Sequence, residues 1–272
     1  MGDKGIRISA KKLSFSYGKD ADAIRNVSLD LYGGKITALV GANGCGKSTL
    51  FGLLTGGLKP CSGTVYLDET PIEKIKRRDF AKQVAVVHQN NSAPDDLTIR
   101  RLVSLGRTPY RSLFSRSYSS EDNEAVMRAL ALTDTEKYAD RMISQLSGGQ
   151  KQRVWLAMAL AQSTDILLLD EFTTYLDIHY QLELLSVIKD LNKDRHITVL
   201  MVMHDINQAL EYSDEIIVMT QGEVLDCGPT DRIVTESTLD KAFNIKSHIT
   251  EIENRRYCVF KNRERKSRYE KD

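Results

Sequence analysis

The residues with the clearest chemical potential form a glycine-rich run over residues 41–49, Gly-Ala-Asn-Gly-Cys-Gly-Lys-Ser-Thr. A glycine, four residues and then Gly-Lys-Ser is the spacing of a phosphate-binding loop. Glycines let backbone N–H groups curl around phosphates, the Lys47 ammonium would contact the β- and γ-phosphates, and the Ser48 hydroxyl would bind Mg²⁺. The run therefore predicts a site for ATP or GTP. Its candidate binding residues are Gly41, Asn43, Gly44, Cys45, Gly46, Lys47, Ser48 and Thr49.

The residues on either side of this run favour a real phosphate loop over a chance glycine turn. Residues 36–40 are apolar and strand-like, and residues 49–54 suit a helix. A helix that begins at the loop would add the positive end of its dipole to the phosphate site. We therefore predict a strand, the loop and a helix in succession.

Two carboxylates end another apolar run, because residues 166–169 are followed by Asp170 and Glu171. In phosphate-loop NTPases an aspartate at such a strand end holds Mg²⁺, which is the role predicted for Asp170. Glu171 is placed to polarise the attacking water as a general base. A salt bridge at the end of a strand is the structural alternative for both side chains.

Two further strands would deliver polar side chains to the same place. Residues 84–87 precede Gln89, and residues 197–203 precede His204. Ligands of open α/β sheets gather at the carboxyl edge of the strands. Gln89 is therefore a candidate contact of the metal or of the attacking water, and His204 of the γ-phosphate. A solvated glutamine and a core histidine are the alternatives.

A second possible anion site and an aromatic residue complete the candidates. Residues 146–150, Leu-Ser-Gly-Gly-Gln, would begin a helix whose first N–H groups can bind an anion. A second phosphate site in the same chain makes sense if it serves another subunit. Tyr17 could stack on a nucleotide base, or it could be a core or edge-strand tyrosine.

The remaining sequence divides the chain into a core, an insertion and an extension. The core covers residues 1–91 and 146–245, the helical insertion covers 92–145, and the extension covers 246–272. From residue 254 onward the chain is basic, which we interpret as a solvated tail. Several arginines of the insertion predict either a solvated face or a docking surface for anionic lipid or a partner. These are Arg100, Arg101, Arg107, Arg111 and Arg116.

Composition excludes several classes of protein. The chain has 272 residues, of which 41% are hydrophobic and 28% charged, as in globular proteins with one core. Its net charge of +1 neither supports nor excludes nucleic acid binding. No apolar run approaches the roughly 20 residues of a membrane span, and the first residues lack the apolar run of a secretory signal. Four widely spaced cysteines form no disulfide framework, so we expect a reducing, cytosolic compartment.

In this order, the motifs of the chain resemble those of the ATPase subunits of ABC transporters, over about residues 6–245. The resemblance implies an α/β fold: a phosphate-loop core with a parallel sheet, an N-terminal antiparallel β subdomain and an inserted α-helical subdomain. It also implies a head-to-tail homodimer that holds two ATP molecules with Mg²⁺. Residues of one subunit would then bind the ATP of the other. By resemblance these are Ser147, Gly148, Gly149, Gln150 and Asp177.

Residues 106–111 and 173–178 are similar to the importer branch that moves ferric siderophores, haem or cobalamin. That branch implies a membrane permease docked on residues 92–145, a position at the cytoplasmic face of the inner membrane and, indirectly, an extracytoplasmic substrate-binding protein. Gln89 would couple the permease contact to catalysis. No nucleic acid partner is expected. The alternative is a soluble ABC-type ATPase acting on nucleic acid, ribosomes or cluster assembly; a phosphate-loop kinase has no use for residues 146–150.

One position departs from the family's pattern. The family usually has proline directly after the catalytic glutamate, whereas this chain has Phe172. Proline fixes φ and phenylalanine does not. We therefore expect residues 171–177 to be more mobile, with an effect on hydrolysis rather than on ATP binding.

Overall fold

Two sheets and a terminal hairpin organise the computed structural model, which describes residues 4–18, 22–111, 117–174 and 176–261. Their strands are β1 (Lys4–Ser16), β2 (Asp22–Gly33), β3 (Ile36–Gly41), β4 (Ser62–Leu67), β5 (Thr70–Pro71), β6 (Val84–Val87), β7 (Ile166–Asp170), β8 (Thr198–Val202), β9 (Glu215–Thr220), β10 (Glu223–Pro229), β11 (Lys246–Ile252) and β12 (Arg255–Lys261). Their helices are α1 (Lys47–Leu54), α2 (Arg77–Phe80), α3 (Ile99–Ser104), α4 (Ser120–Leu132), α5 (Gly148–Ala161), α6 (Ile178–Arg195), α7 (Ile206–Tyr212), α8 (Thr230–Ile233) and α9 (Glu236–Phe243).

The larger sheet has the strand order β10-β9-β3-β8-β7-β6. Its strands pair in parallel except for β10, which is antiparallel to β9. The residues of β3, β7 and β8 are all buried, as expected for parallel strands covered on both faces. The register pairs Leu39 with Val202 and Val202 with Asp170, so β3, β8 and β7 end at one edge. This edge brings four predicted segments of the site side by side.

The smaller sheet is antiparallel, with the order β2-β1-β4-β5. Its apolar residues pack with α1 and with one face of the larger sheet in one core cluster. A second cluster joins the other face to α5, α6, α7 and the helical insertion. The phosphate-loop fold with an N-terminal antiparallel sheet is therefore confirmed.

The insertion between β6 and α5 is helical in its described part. Thr98 caps α3, and Ser119 caps α4 in a reciprocal capping box with Asp122. In such a box each partner's side chain accepts the other's otherwise unsatisfied backbone N–H. The apolar side of α4 packs into the second core cluster.

Arg107 corrects the interpretation of the arginine cluster, because it is neither solvated nor available for docking. The residue is buried; its Nε donates to Oδ1 of Asp122 at 2.8 Å and its Nη1 to the carbonyl oxygen of Ala161 at 3.0 Å. Burial alone would raise the pKa of Asp122, but the hydrogen bonds from Arg107 and Ser119 outweigh it and lower that pKa. Arg107 thus holds the insertion against the end of α5, while Arg116 lies outside the described residues.

Removing Arg107 should destabilise the protein strongly. Arg107→Ala leaves the Asp122 carboxylate buried without its partner, which typically costs about 3–5 kcal/mol. The matched control is Arg100→Ala, whose ion pair with Asp140 is solvent-exposed and should contribute at most about 1 kcal/mol. Urea unfolding of the three proteins measures the difference. Equal stabilities of the two variants would contradict a structural role for Arg107.

The extension also differs from the prediction, since the chain from residue 254 is not simply a solvated tail. β11 and β12 form an antiparallel hairpin whose residue Cys258 is 4% exposed. The Asn207 side chain bonds both backbone groups of Cys258, and Arg256 donates to the carbonyl oxygens of Asp231 and Val234. The basic composition does not indicate this strand, because Arg256 binds backbone carbonyls and Arg255 pairs with Glu211 within the fold. The last ten residues, predicted to be disordered, lie outside the described residues.

Within the described ranges, none of the helices combines the length and the apolar character that crossing a bilayer requires.

Candidate active site

The glycine-rich run forms a tight loop between β3 and α1. A side chain at Gly41 would bring its Cβ within 2.4 Å of the carbonyl oxygen of Met219. Gly46, the residue before α1, has φ of 106°, and a Cβ there would lie 2.8 Å from the carbonyl oxygen of Ala23. Only glycine fits both the approach and the left-handed backbone. The tight loop lets α1 begin only six residues after the carboxyl end of β3, so the start of a helix lies near that edge of the sheet, as a phosphate site requires.

Lys47 is buried in this loop, although it is a charged residue. Its Nζ donates to the carbonyl oxygens of Gly41 at 2.9 Å and Ala42 at 3.2 Å. The loop carbonyls thus hold the ammonium group inside the loop, and its contact with phosphates stays a prediction. Asn43, Gly44 and Ser48 are exposed around it.

Tyr17 lies at the other end of the loop. Its hydroxyl is 3.1 Å from Oγ1 of Thr49, and its ring is 71% exposed with an edge-to-face contact to Phe15. The tyrosine is therefore neither a core residue nor remote from the phosphate loop. Its exposed face suits stacking on a base, which stays a prediction.

Cys45 is the cysteine of the loop, and it is buried to the same extent as Lys47. Its side chain is buried, and burial raises the pKa of the thiol more than the nearby Lys47 lowers it. A thiol with a raised pKa has less thiolate and reacts slowly with modifying reagents. Burial and the raised pKa of the thiol therefore both favour slow reaction of Cys45.

Asp170 ends β7 as a buried carboxylate with an unused acceptor. Its Oδ1 has no hydrogen-bond partner among the described residues. Burial and the carboxylate of Glu171 raise the pKa of Asp170 to about 6, against the opposing effect of Lys47 and His204. A bound cation would give Oδ1 of Asp170 the partner that it lacks. Its positive charge would also stabilise the ionised carboxylate. A carboxylate oxygen is the kind of ligand that Mg²⁺ prefers, so the unpartnered Oδ1 of Asp170 fits the metal role predicted for this residue, which stays a prediction.

Glu171 is the residue on which the predicted catalytic side chains converge. Gln89 donates from Nε2 to Oε2 of Glu171 at 2.6 Å, and Nε2 of His204 lies 2.8 Å from the same oxygen. Glu171 itself adopts a left-handed backbone with φ of 46°. Three residues from three separate strand ends therefore meet at one carboxylate, as their placement after β6, β7 and β8 predicts.

Phe172 cannot fix its own φ as a proline would, but the packing of its side chain holds it in place. Its side chain is 1% exposed and belongs to the core cluster that contains α5 and α6. Burial of the ring anchors the residue that follows Glu171. Truncation of a buried phenylalanine typically costs about 3–5 kcal/mol, so the anchor is strong. The expected mobility of residues 171–177 stays a prediction.

Residues 147–150 begin α5, as the helix prediction requires. Ser147 and Gln150 form a reciprocal capping box with each other, and Ser147 and Gly148 are exposed. A Cβ at Gly149 would meet the side chain of Leu176 at 3.3 Å. The run therefore packs beside the segment that leads into α6.

Asp177 lies in that segment and is exposed too. Its Oδ1 accepts the backbone N–H of Tyr180 at 3.1 Å, which caps α6. The five residues predicted to act on a second subunit thus surround two neighbouring helix starts. Their binding of ATP from the other subunit stays a prediction.

The sequence did not indicate two amides near the site, the half-buried Gln181 and the buried Gln208. Gln208 donates from Nε2 to Oε1 of Gln181 at 2.7 Å. One signal was available for Gln181: it lies four residues after the capping Asp177, on the same side of the first turn. No local pattern marks Gln208, whose partner lies on another helix.

Comparisons with known proteins agree with this geometry. A family model described as ABC transporter matches residues 24–174, more than half of the chain. The iron(3+)-hydroxamate import ATP-binding protein FhuC of Bacillus subtilis is 42% identical, over 89% of this chain and 89% of that protein. The ferric enterobactin transport ATP-binding protein FepC of Escherichia coli is 38% identical, over 92% of this chain and 91% of its own length.

Solved structures give the same result. A metal-chelate type ABC transporter in an inward-facing conformation superposes with a TM-score of 0.80 at 27% identity, covering 96% of this chain and 97% of that one. The dimeric bacterial ABC transporter cassette MJ0796 superposes with a TM-score of 0.73 at 30% identity, over 82% of this chain and 98% of the cassette. Sequence motifs, fold and relatives together show that the chain belongs to the ABC transporter family, as an ATP-binding and ATP-hydrolysing subunit.

Proposed function

We propose that the protein energises the import of an iron chelate, foremost a ferric siderophore, through a membrane permease, with haem and cobalamin as the alternative cargoes. The observation that carries this proposal is relatedness along nearly the whole chain. The hydroxamate and enterobactin subunits match about nine-tenths of it at about 40% identity. The alternative of a soluble ABC-type ATPase on nucleic acid, ribosomes or cluster assembly has no comparable support.

Hydrolysis would follow from the arrangement at the sheet edge. Lys47 would contact the β- and γ-phosphates, since its ammonium lies within the loop, 2.9 Å from the carbonyl oxygen of Gly41. Glu171 would accept a proton from the water that attacks the γ-phosphate in line. His204 and Gln89, both in contact with Oε2 of Glu171, would hold the carboxylate and the water in register.

Mg²⁺ has a suitable set of donors in this site. The unpartnered Oδ1 of Asp170, the exposed hydroxyl of Ser48 and the side chain of Gln89 would hold it. When bound, it would neutralise charge that develops on the phosphate oxygens.

A second copy of the chain would complete each site. The exposed Ser147 and the half-buried Gly149 would approach the γ-phosphate bound by the partner, and the exposed Asp177 would also face the partner. A head-to-tail pair buries the same surface on both subunits and closes with two-fold symmetry. The proposal therefore includes a homodimer that holds two ATP molecules.

The helical insertion would bind the permease. Only two residues separate the insertion from Gln89. A displacement of the insertion by the permease would therefore move a residue that contacts Glu171. Exposed large side chains lie on its described part, which suits burial against a membrane protein. They include Leu105, Tyr110 and Leu132. A peripheral position at the cytoplasmic face of the inner membrane, with an extracytoplasmic binding protein delivering the cargo, completes the proposal.

Uptake in cells tests the cargo. Cells that lack the chain should lose accumulation of radioactive iron from one class of ferric siderophore, and the wild-type chain should restore it. Glu171→Gln should not restore it, whereas Glu223→Gln, at an exposed ion pair on β10 and outside the insertion, should. Loss of haem or cobalamin uptake instead would reassign the cargo. Normal uptake of all of these chelates in the absence of the chain would refute the importer proposal.

A further inference from the structure

The segment from Glu171 to Asp177 joins two residues with different tasks, one in its own site and one toward the partner. Within it, the backbone N–H of Thr174 donates to the carbonyl oxygen of Glu171 at 3.0 Å. The backbone N–H of Leu176 donates to the carbonyl oxygen of Thr173 at 3.3 Å. These two bonds define turns, but neither connects the segment to the rest of the protein.

Gln181 supplies that connection from the first turn of α6. Its Nε2 donates to the carbonyl oxygens of Leu176 at 3.0 Å and Thr173 at 3.3 Å. One amide group therefore satisfies two carbonyls of the segment. Both bonds require that the NH₂ side of the amide, and not its oxygen, faces the segment.

Gln208 fixes this orientation. It is 8% exposed and donates from Nε2 to Oε1 of Gln181 at 2.7 Å. An amide has its acceptor on one side and its two donors on the other. Because Gln208 occupies the oxygen of Gln181, the donors of Gln181 must point toward the segment.

Gln208 lies on α7, the helix that directly follows His204. Asp205 caps this helix by accepting the backbone N–H groups of Asn207 and Gln208. His204 contacts Glu171 from one side, and the chain of amides reaches the segment after Glu171 from the other. The segment from Glu171 to Asp177 and the chain from His204 to α7 are therefore connected at two points, once through Glu171 and once through Gln181.

We propose that Gln208 and Gln181 form an amide relay that positions Glu171 and Asp177 relative to His204 during ATP hydrolysis. They are positioning residues, since neither contacts the predicted path of the phosphate or water. The inference rests on the proposed role of Glu171 as general base. It predicts that the relay affects turnover while ATP binding, which depends on the phosphate loop, stays intact.

Steady-state ATP hydrolysis by the full-length chain tests the relay. Gln208→Met keeps the length of the side chain but removes its donor, and kcat should fall about tenfold, the effect of one lost hydrogen bond in a positioned site. The KM for ATP should stay within about twofold. Gln208→Glu should be equally slow, because a carboxylate draws the NH₂ of Gln181 toward itself and turns its oxygen against the loop carbonyls.

A second substitution, at Gln181, should reverse the slow hydrolysis of Gln208→Glu. In the double variant Q181K/Q208E, the three donors of the ammonium can reach the new carboxylate and both carbonyls, so kcat should recover most of the loss. Hydrogen exchange gives an independent readout: backbone amides of Thr174 and Leu176 should exchange faster in Gln208→Met and return toward normal in the double variant.

Asn207→Leu is the matched control. Asn207 precedes Gln208 on the same helix and also bonds backbone groups, but those belong to Cys258 in the terminal hairpin. Its kcat should match the wild type. Wild-type kcat in Gln208→Met, or an equal loss in Asn207→Leu, would overturn the relay. If Gln208→Met does not fold, Gln181→Glu is tested instead, because it removes the donors to the same two loop carbonyls. Its kcat should also fall about tenfold, and a wild-type kcat would overturn the relay. The Glu171→Gln variant keeps the outcomes separate, since a normal rate there refutes the general base instead.

Discussion

Replacing Glu171 with glutamine should slow ATP hydrolysis by about 10²- to 10⁴-fold, the contribution of a positioned general base. Glutamine has nearly the same shape, so the contacts with Gln89 and His204 can persist around it. It cannot take a proton from water at neutral pH. Binding of ATP should therefore remain while turnover nearly stops.

The retained ATP should also hold two chains together. Titration of a fluorescent ATP analogue measures its affinity, light scattering measures the mass, and phosphate release measures the rate. We expect unchanged affinity, the mass of a dimer and almost no phosphate release. Glu124→Gln, at an exposed pair on α4, controls for loss of one negative charge. Near-normal steady-state hydrolysis by Glu171→Gln would rule out its role as general base.

Replacing Lys47 with alanine should weaken ATP binding by about 10- to 100-fold. A charge-assisted hydrogen bond typically contributes about 1.5–3 kcal/mol, and Lys47 is a buried cation that the loop carbonyls hold within the proposed phosphate site. The defect should be larger for ATP than for adenosine, because the interaction is with phosphates. This contrast separates a local loss of contact from a distorted site.

Isothermal titration of the two ligands measures this contrast. Lys193→Ala, an exposed lysine in the last turn of α6, is a control for the lost positive charge. It should bind ATP like the wild type. Unchanged ATP affinity in Lys47→Ala would refute the assignment of the phosphate loop. Equal losses for ATP and adenosine would indicate a misfolded loop instead.

Much of the catalytic edge was predictable because its information is local. Buried parallel strands are continuous apolar runs. Asp170 and His204 come directly after such runs, and Gln89 comes one residue later. Parallel strands end at one edge, so adjacency followed from strand assignment alone. The glycines of the phosphate loop likewise report their own backbone requirements.

The residues that the sequence did not place correctly depend on partners far along the chain. Arg107 belongs to a visibly basic cluster, but Asp122 and the end of α5 draw it into the interior. In the sequence, Phe172 is noticeable only because the family usually has proline there. The fold shows that its ring is buried in the core. Gln208 is an ordinary polar residue in the sequence and a buried donor in the fold.

The terminal hairpin shows the same limit for a whole element. Its basic composition indicates a solvated tail, while the structure pairs β11 with β12 and buries Cys258 against α7. Composition describes the average environment of a segment. It does not report a single buried residue bonded by Asn207 from elsewhere in the chain.

The most direct test of the account is to identify what the Glu171→Gln protein binds in native membranes. The tagged variant is purified with ATP and Mg²⁺ after gentle solubilisation, and its companions are identified and quantified. The account predicts a polytopic membrane protein in an amount nearly equal to that of the chain, as expected for two ATPase subunits under a permease dimer. Recovery only from the soluble fraction, together with ribosomes, nucleic acid or assembly factors, would contradict it.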